Sequence, residues 1–452
     1  MRKPTFVIRG PVNTRSGYGA MSRDIVRHII EMDVFDVQVH SCRWGTTPMG
    51  ILDPDEPKDA MILDRIVPEE INPNKLPEVY ASITIPTEFR RFGKYNIGIT
   101  AGIETTAATP QWVQAMNVMD LNLVISKHSK DVFLASRYNQ HGEGGKIIGE
   151  LFCEKPIEIL PNCVDTYTFK KTNKLDLEKT VRKELDDVEE NFGFLFVGHW
   201  LNGNLGHDRK NVGLLVKIFC ELFKRAEFDP KPALIMKVSS ANNSIMDREE
   251  VFNKIQHIKN SVALAEGESL PNIYVVHGEL TDSEMNSLYN HPKVKCHISL
   301  TKGEGFGRPL LEATQSGKPL IVSGWSGHLD FTNREEAILL GGQLGKIDPS
   351  ARAGDWMFEH AQWFDVDQNM AASAMVEIFR NYSHWHKKAK GLARRNRNTF
   401  NYKAIQKMTS ELLMSYIPEE LSVEQPDVVE AVPVSINLPT LEDIGLPKLE
   451  TV

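Results

Sequence analysis

A glycine-rich segment that follows an apolar run constrains the fold of this chain more than any other feature of its sequence. Residues 294–300 have the composition of a buried strand, and a helical pattern begins near Pro309. Between them stand Gly303, Gly305 and Gly307, which let a backbone approach a ligand closely at a helix N-terminus. A strand, a glycine turn and a helix in this order predict a ligand site at the carboxyl end of a strand in an α/β sheet.

Two glutamates accompany this turn. Glu304 lies in the loop and Glu312 about one turn into the helix, so one carboxylate could hold one end of an extended ligand and the other its far end. The alternative is a glycine-rich turn with a capping glutamate, which is the preferred interpretation of an isolated Gly-x-Gly.

A second strand, glycine loop and helix opens the chain. Residues 5–9 are rich in strand formers, Gly17 and Gly19 follow, and residues 21–30 have helical spacing. This pattern is that of an ordinary first β-α turn in a Rossmann-like domain, or of a loop that closes over phosphates or an acceptor. Arg15 adds a cation at the same place.

Length and composition indicate a chain of two or three domains without a membrane segment. No run among the 452 residues approaches the roughly 20 apolar residues of a span, and the apolar part of the N-terminus is too short for a secretory signal. The five cysteines are scattered without a C-x-x-C pair, which indicates reduced thiols rather than a disulfide framework or a zinc site. We therefore expect a cytoplasmic protein.

Charge is distributed unevenly along the chain. Of the net charge of −8, residues 418–452 carry −7, so the body is near neutral. We expect this acidic, proline-rich tail to be disordered or loosely attached. One basic cluster, Lys387, Lys388, Lys390, Arg394, Arg395 and Arg397, is either a solvated helix face or a contact for nucleic acid or another anionic surface.

The segment E-G-F-G-x-P-x-x-E, which begins at Glu304, resembles the E-x7-E signature of retaining glycosyltransferases with the GT-B fold, in particular family 4. In that family the first glutamate and the amides after it hold the donor sugar, and the second glutamate binds ribose hydroxyls. The resemblance implies these roles for Glu304, for Gly305, Phe306 and Gly307, and for Glu312. Arg308 departs from the usual apolar residue; we expect it to be solvated, and the alternative is a local contact with a charged acceptor or a phosphate.

The resemblance extends to a second strand and loop. Residues 194–197 form a strong apolar strand, and the family follows this strand with an arginine and a lysine that hold the donor diphosphate. Lys210 matches the lysine, whereas His199 stands in place of the arginine, so Arg209 is the candidate for the second charge. A solvated helix start is the alternative for Arg209 and Lys210.

Two further positions depart from the family pattern. Glu104 stands where some members have a histidine that lines the reaction centre, and its carboxylate would either orient an acceptor hydroxyl or cap a helix. Cys163 replaces the usual glycine of a P-N-G-V-D segment. Asp53-Pro54-Asp55 looks like a D-x-D metal motif, but its prolines indicate a turn and the resemblance implies a reaction without metal or cofactor.

Alternating strands and helices predict an α/β chain with the GT-B fold, in which two Rossmann-like domains face a central cleft. We expect domains at 1–168 and 190–399, helices over 354–416, and residues 400–416 crossing back onto the first domain. The reaction implied by the resemblance moves a sugar from a nucleotide diphosphate sugar to an acceptor hydroxyl with retention. The acceptor is expected to be a saccharide or another soluble or polymeric molecule. A hydroxylated base in DNA, a nucleotide-sugar epimerase and a non-catalytic sugar-nucleotide binder remain alternatives.

Overall fold

The computed structural model describes residues 2–68, 75–141, 146–240, 244–352, 360–419 and 421. Within this part of the chain, strands and helices alternate, and most strands belong to two six-stranded parallel sheets. The expected acidic tail lies outside the described residues beyond 421. No helix in the described ranges combines the length and apolar character that crossing a membrane requires.

The first sheet has the order β2-β1-β3-β4-β5-β8, and β6 pairs with β7 as a separate antiparallel ribbon. Its four central strands, β1, β3, β4 and β5, are almost wholly buried, as expected for a parallel sheet covered by helices on both faces. The first eight strands are β1 (Thr5–Gly10), β2 (Asp36–Ser41), β3 (Val79–Ile83), β4 (Tyr95–Thr100), β5 (Leu121–Val124), β6 (Tyr138–His141), β7 (Ile147–Leu151) and β8 (Ile157–Ile159).

The second sheet has the order β11-β10-β9-β12-β13-β14 and repeats the same architecture. Phenylalanines on β9 and on the helix that follows it pack together in its core. The remaining strands are β9 (Gly193–His199), β10 (Ala233–Ser239), β11 (Ile273–Val276), β12 (Val294–Ser299), β13 (Leu320–Ser323), β14 (Ile338–Leu340), β15 (Gly342–Lys346) and β16 (Gln362–Val366).

The α-helices cover the sheets, and several begin at side-chain caps that the sequence supplies. Ser16 caps α1, Thr109 caps α3, and Thr281 with Glu284 forms a capping box on α8. They are α1 (Gly17–Glu31), α2 (Pro57–Leu63), α3 (Pro110–Met116), α4 (Lys127–Ala135), α5 (Lys179–Asp186), α6 (Val212–Phe223), α7 (Ile245–Asn260), α8 (Asp282–Asn290), α9 (Arg308–Thr314), α10 (Gln368–Arg380), α11 (Tyr382–Thr399) and α12 (Tyr402–Tyr416).

The last helix packs against the first. His28 Nδ1 of α1 lies 3.1 Å from Thr409 Oγ1 of α12, and the hydroxyl of Tyr402 donates to Glu31 at 3.0 Å. A bridge between Val164 and Asn401 accompanies the crossing. Residues that follow the second sheet in the chain thus complete the helical layer over the first.

One expectation about secondary structure was wrong. Helices were expected over 354–416, but β16 pairs antiparallel with β15 from Gly342↔Val366 to Lys346↔Gln362. Trp363 and Phe364 of β16 are buried on opposite sides of the strand, Trp363 against Ile347 and Ala351 and Phe364 in the core of the second sheet. Five residues give too little periodicity to separate a strand from a helical turn.

Candidate active site

Loops at the carboxyl ends of strands from both sheets meet across the cleft. The loop after β12 carries Gly303 to Gly307, and the loop after β4 carries residues 101–104. A β-carbon on Gly303 would lie 2.0 Å from the carbonyl oxygen of Glu104, and one on Gly305 would lie 2.3 Å from that of Ala101. The two glycines therefore allow the backbones of the two domains to touch, which no larger residue would permit.

Four of the predicted catalytic residues form one charged cluster at this contact. Lys210 Nζ donates to Glu304 Oε1 at 2.5 Å, and Arg209 Nη1 lies 2.9 Å from Glu104 Oε1 and 3.6 Å from Glu304 Oε2. Arg209 also donates to the carbonyl oxygen of Gly303 at 2.9 Å. The cluster joins the loop after β4, the loop after β9 and the loop after β12.

The carboxylates of this cluster differ in their proton affinity. Burial favours the protonated acid, but the charges of Lys210 and Arg209 outweigh it at Glu304 and lower its pKa to about 2. Burial raises the pKa of Glu104, against the opposing effect of Arg209. Glu304 is therefore ionised at neutral pH, whereas Glu104 is the more readily protonated of the two.

Glu312 belongs to a second charged group, which also joins the two domains. Arg308 Nε donates to Glu312 Oε1 at 3.1 Å, and Arg308 Nη1 donates to Asp24 Oδ2 on α1 at 2.9 Å. The expectation of a solvated Arg308 was wrong, because Asp24 from the other domain draws its guanidinium into the interface. Burial raises the pKa of Glu312 to about 7, although Arg308 opposes that rise.

The N-terminal glycine loop lies beside the second domain. Arg15 Nε is 3.3 Å from Glu279 Oε2 in the loop after β11, and its Nη1 donates to the carbonyl oxygen of Leu280 at 3.4 Å. A β-carbon on Gly17 would meet no atom within 4 Å, whereas one on Gly19 would collide with the carbonyl of Thr14. The Gly19 amide donates to Ser16 Oγ as part of the helix cap, so Gly17 is the more open of the two glycines.

The structure also places the remaining predicted donor residues. His199 is exposed on one side, its Nδ1 lies 3.1 Å from Ser239 Oγ, and partial desolvation and the charge of Lys210 lower its pKa, which favours the neutral imidazole at pH 7. Phe306 is buried against Phe331 and Phe400. Its ring therefore belongs to the core, and only its backbone is left to meet a ligand.

Sequence reasoning gave no role to two histidines beside the cluster. His328 is fully buried and packs against Gly307. Burial lowers the pKa of both histidines. The charge of Glu304 acts to raise the pKa of His328, and the charge of His328 in turn acts to lower the pKa of His128. The sequence feature that could have indicated His328 is the G-W-S-G-H segment after β13. In the structure Gly327 of this segment packs against the carbonyl of Gly305, which brings the segment to the cluster.

The basic cluster on α11 is partly consumed by internal contacts. Arg395 pairs with Glu336 at 3.1 Å and also donates to the carbonyl of Phe331, and Arg397 donates to the carbonyl of Gln315. Two of the six cations therefore hold α11 against the second domain, which leaves a weaker cationic surface than the sequence alone indicated.

Comparisons with known proteins agree with this architecture. Residues 237–340 match a family model described as Glycosyl transferases group 1, a segment that contains Glu304 and Glu312 but neither Arg209 nor Lys210. No curated protein sequence matches the chain at a significant level.

Solved structures resemble the whole chain. HepE from Anabaena in complex with UDP and glucose shares 14% identity with a TM-score of 0.55, covering 91% of this chain and 100% of its own. Sucrose-phosphate synthase from Thermosynechococcus elongatus shares 13% with a TM-score of 0.58, covering 92% and 99%. The lipopolysaccharide outer core galactosyltransferase WaaB shares 12% with a TM-score of 0.51, covering 91% and 99%. These likenesses confirm the predicted fold: two Rossmann-like domains in the GT-B arrangement.

Proposed function

We propose that the protein is a retaining, metal-independent glycosyltransferase that moves a sugar from a nucleotide diphosphate sugar to an acceptor hydroxyl. The observation that carries this proposal is the cluster of Glu304, Lys210, Arg209 and Glu104, assembled from loops of both domains. The glycosyl transferases group 1 segment at 237–340 supports the same class of reaction.

The leaving group explains the two cations. When the bond between the anomeric carbon and the diphosphate breaks, negative charge develops on the phosphate oxygens, and fixed cations beside them lower the barrier. Lys210 and Arg209 are held in place by carboxylates, so they are oriented before a donor binds. Their positive charge stabilises the leaving diphosphate without a metal ion.

The carboxylates have separate tasks in this proposal. Glu304, with a pKa of about 2, accepts hydrogen bonds from hydroxyls of the donor sugar. The acceptor oxygen then bonds to the anomeric carbon on the face that the diphosphate leaves, and the departing phosphate takes the acceptor proton. Glu104, joined to the cluster through Arg209, orients the acceptor hydroxyl.

The donor nucleotide would extend from the cluster toward Glu312. We assign Glu312 to the ribose hydroxyls, and the backbone of Gly305, Phe306 and Gly307 to the sugar. Gly17, Gly19 and His199 would border the phosphates. No cofactor beyond the nucleotide sugar is required. The five cysteines are all buried, and the described residues form no disulfide, which supports a cytoplasmic location.

A panel of labelled nucleotide sugars, with UDP-glucose first, tests the proposal. The protein is expected to bind a nucleotide sugar, to hydrolyse it slowly without acceptor, and to give a product whose anomeric configuration by NMR equals that of the donor. Release of an epimerised nucleotide sugar would instead identify an epimerase. Tight nucleotide binding without turnover in the presence of a broad acceptor set would identify a binding protein.

A further inference from the structure

Beside the charged cluster the interdomain cleft widens into a cavity of about 1650 Å³. Four of the seven tryptophans in the chain line it, namely Trp44, Trp112, Trp200 and Trp363. Glu104 and Arg209 belong to the same lining. Trp112, Trp200 and Trp363 are buried, so Trp44 is the tryptophan that offers an exposed ring next to the place where we propose that the acceptor hydroxyl reacts.

Trp44 is the best placed of these rings to meet a ligand. It is partly exposed on the loop after β2, and it stacks on Tyr18 with ring centroids 4.0 Å apart and an interplanar angle of 27°. The Tyr18 hydroxyl lies 2.9 Å from Thr100 Oγ1 and accepts the N–H of Ala101 at 3.0 Å. Tyr18 is thereby fixed beside the loop that carries Glu104, and a ligand meets a platform that is already ordered.

The charges of the residues that line the cavity disfavour the binding of polyanions. Five carboxylates face three arginine and lysine side chains, and those lining residues are Glu88, Glu104, Asp247, Glu249, Glu250, Arg43, Arg209 and Lys254. Arg209 pairs with Glu104, and Lys254 pairs with Glu250 at 2.6 Å. Among the described residues this leaves Arg43 as the lining cation without an ion pair. A nucleic-acid backbone needs a row of unpaired cations, so an uncharged ligand fits this lining better.

A saccharide combines the two properties that the lining matches. One face of a sugar ring presents C–H groups, which pack on an aromatic ring, and its edge presents hydroxyls, which donate to carboxylates and amides. The side chains of Asn202, Asn204 and Asn253 also line the cavity. Its volume exceeds the roughly 300 to 1,000 Å³ typical of small-molecule sites, so there is room for more than one sugar unit.

We propose that this cavity binds an uncharged oligosaccharide acceptor, with Trp44 as the stacking platform beside Glu104. The inference rests on the proposed glycosyl transfer for the identity of the ligand as acceptor. The binding itself is measured without a donor, so failure of the inference and failure of the proposed function are distinguishable.

The test begins with the labelled full chain on an array of neutral and acidic glycans. Each bound neutral oligosaccharide is then titrated in solution against the wild type, Trp44→Ala, Trp44→Phe and Trp385→Ala. Trp385 is a matched control, because it lies on α11 outside the cavity lining. We expect affinity to rise from two to four sugar units and to change little between 50 and 200 mM salt. Trp44→Ala should weaken binding at least tenfold, Trp44→Phe less than threefold, and Trp385→Ala not at all.

Three results would overturn the inference. The first is the absence of binding to any neutral oligosaccharide on the array. The second is binding that Trp44→Ala leaves unchanged while circular dichroism shows the variant to be folded. The third is binding of a duplex or single-stranded DNA 20-mer that falls steeply with salt and is weakened by Trp44→Ala, since that result would assign the cavity to nucleic acid.

Discussion

Glu304 and Glu312 stand eight residues apart at the same loop and helix, with 8% and 13% of their side chains exposed, and their carboxyl groups behave in opposite ways. The pKa of Glu304 is about 2, whereas that of Glu312 is about 7. Burial alone would raise both values. The difference must therefore come from the charges that surround each carboxylate.

Glu304 has two cations nearby, and among the described residues the closer one, Lys210, forms an ion pair with Glu304 alone. Glu312 has one cation, Arg308, which it shares with Asp24. Asp282 and Asp24 further raise the pKa of Glu312. Two carboxylates that look equivalent in a sequence motif thus differ in pKa. The pKa of each depends on how many cations lie nearby and on whether those cations are shared with other carboxylates.

Breaking the Glu304 pair should give the largest change in stability. Lys210→Met leaves the buried Glu304 carboxylate without its main partner, and we expect a loss of about 3 to 5 kcal/mol in the free energy of unfolding. Adding Glu304→Gln to the same chain should restore most of that loss, because no uncompensated charge then remains. Chemical denaturation of both variants measures the two values. A double variant no more stable than Lys210→Met would contradict a dominant charge pair.

The same lysine should govern turnover. If Lys210 acts as one preorganised charge for the leaving diphosphate, Lys210→Ala should lower kcat by about 10² to 10³, or about 2.7 to 4 kcal/mol. Lys210→Arg should retain more activity than Lys210→Ala, and Lys407→Ala on the exposed face of α12 should retain all of it. Assays at a temperature where denaturation curves show every variant folded separate this effect from stability. Unchanged turnover in Lys210→Ala would remove the lysine from the mechanism.

Most residues of this cluster could be predicted from the sequence, whereas the contacts around them could not. Both Glu304 and Lys210 follow an apolar strand, and parallel sheets bring such loops to one edge, but their roles were predicted from the resemblance to family 4 glycosyltransferases. The solvation of Arg308 was predicted wrongly because its partner Asp24 is 284 residues away in the chain and contacts it only where the two folded domains pack together. The Trp44 platform had no local signal, since a single tryptophan in a loop resembles any exposed residue until Tyr18 is seen beneath it.

Glu312 should show the pH dependence that Glu304 lacks near neutrality. A carboxyl group whose pKa rises from 4.5 when unfolded to about 7 when folded contributes stability that is complete below pH 4.5. That contribution is lost as pH rises through 7, and it amounts to about 3 kcal/mol. Wild type should therefore lose stability from pH 5 to 8 relative to Glu312→Gln. Urea denaturation at each pH measures the difference, with Glu411→Gln on exposed α12 as control. Parallel curves for wild type and Glu312→Gln would show that Glu312 does not titrate in this range.

The smallest expected effect on the pH dependence comes from Asp24. Asp24→Asn removes a negative charge that raises the pKa of Glu312, and it leaves Arg308 with one carboxylate partner instead of two. The pH dependence assigned to Glu312 should consequently move to lower pH. Stability at pH 5 should fall as well, because Glu312 is protonated there and asparagine leaves Arg308 with a neutral hydrogen-bond acceptor in place of its ionised partner. Combining Asp24→Asn with Glu312→Gln supplies the control, since no pH dependence from Glu312 remains to be moved. If Asp24→Asn shifts the curve even when Glu312 is glutamine, another group titrates. The sharing of Arg308 would then not explain why Glu312 differs from Glu304.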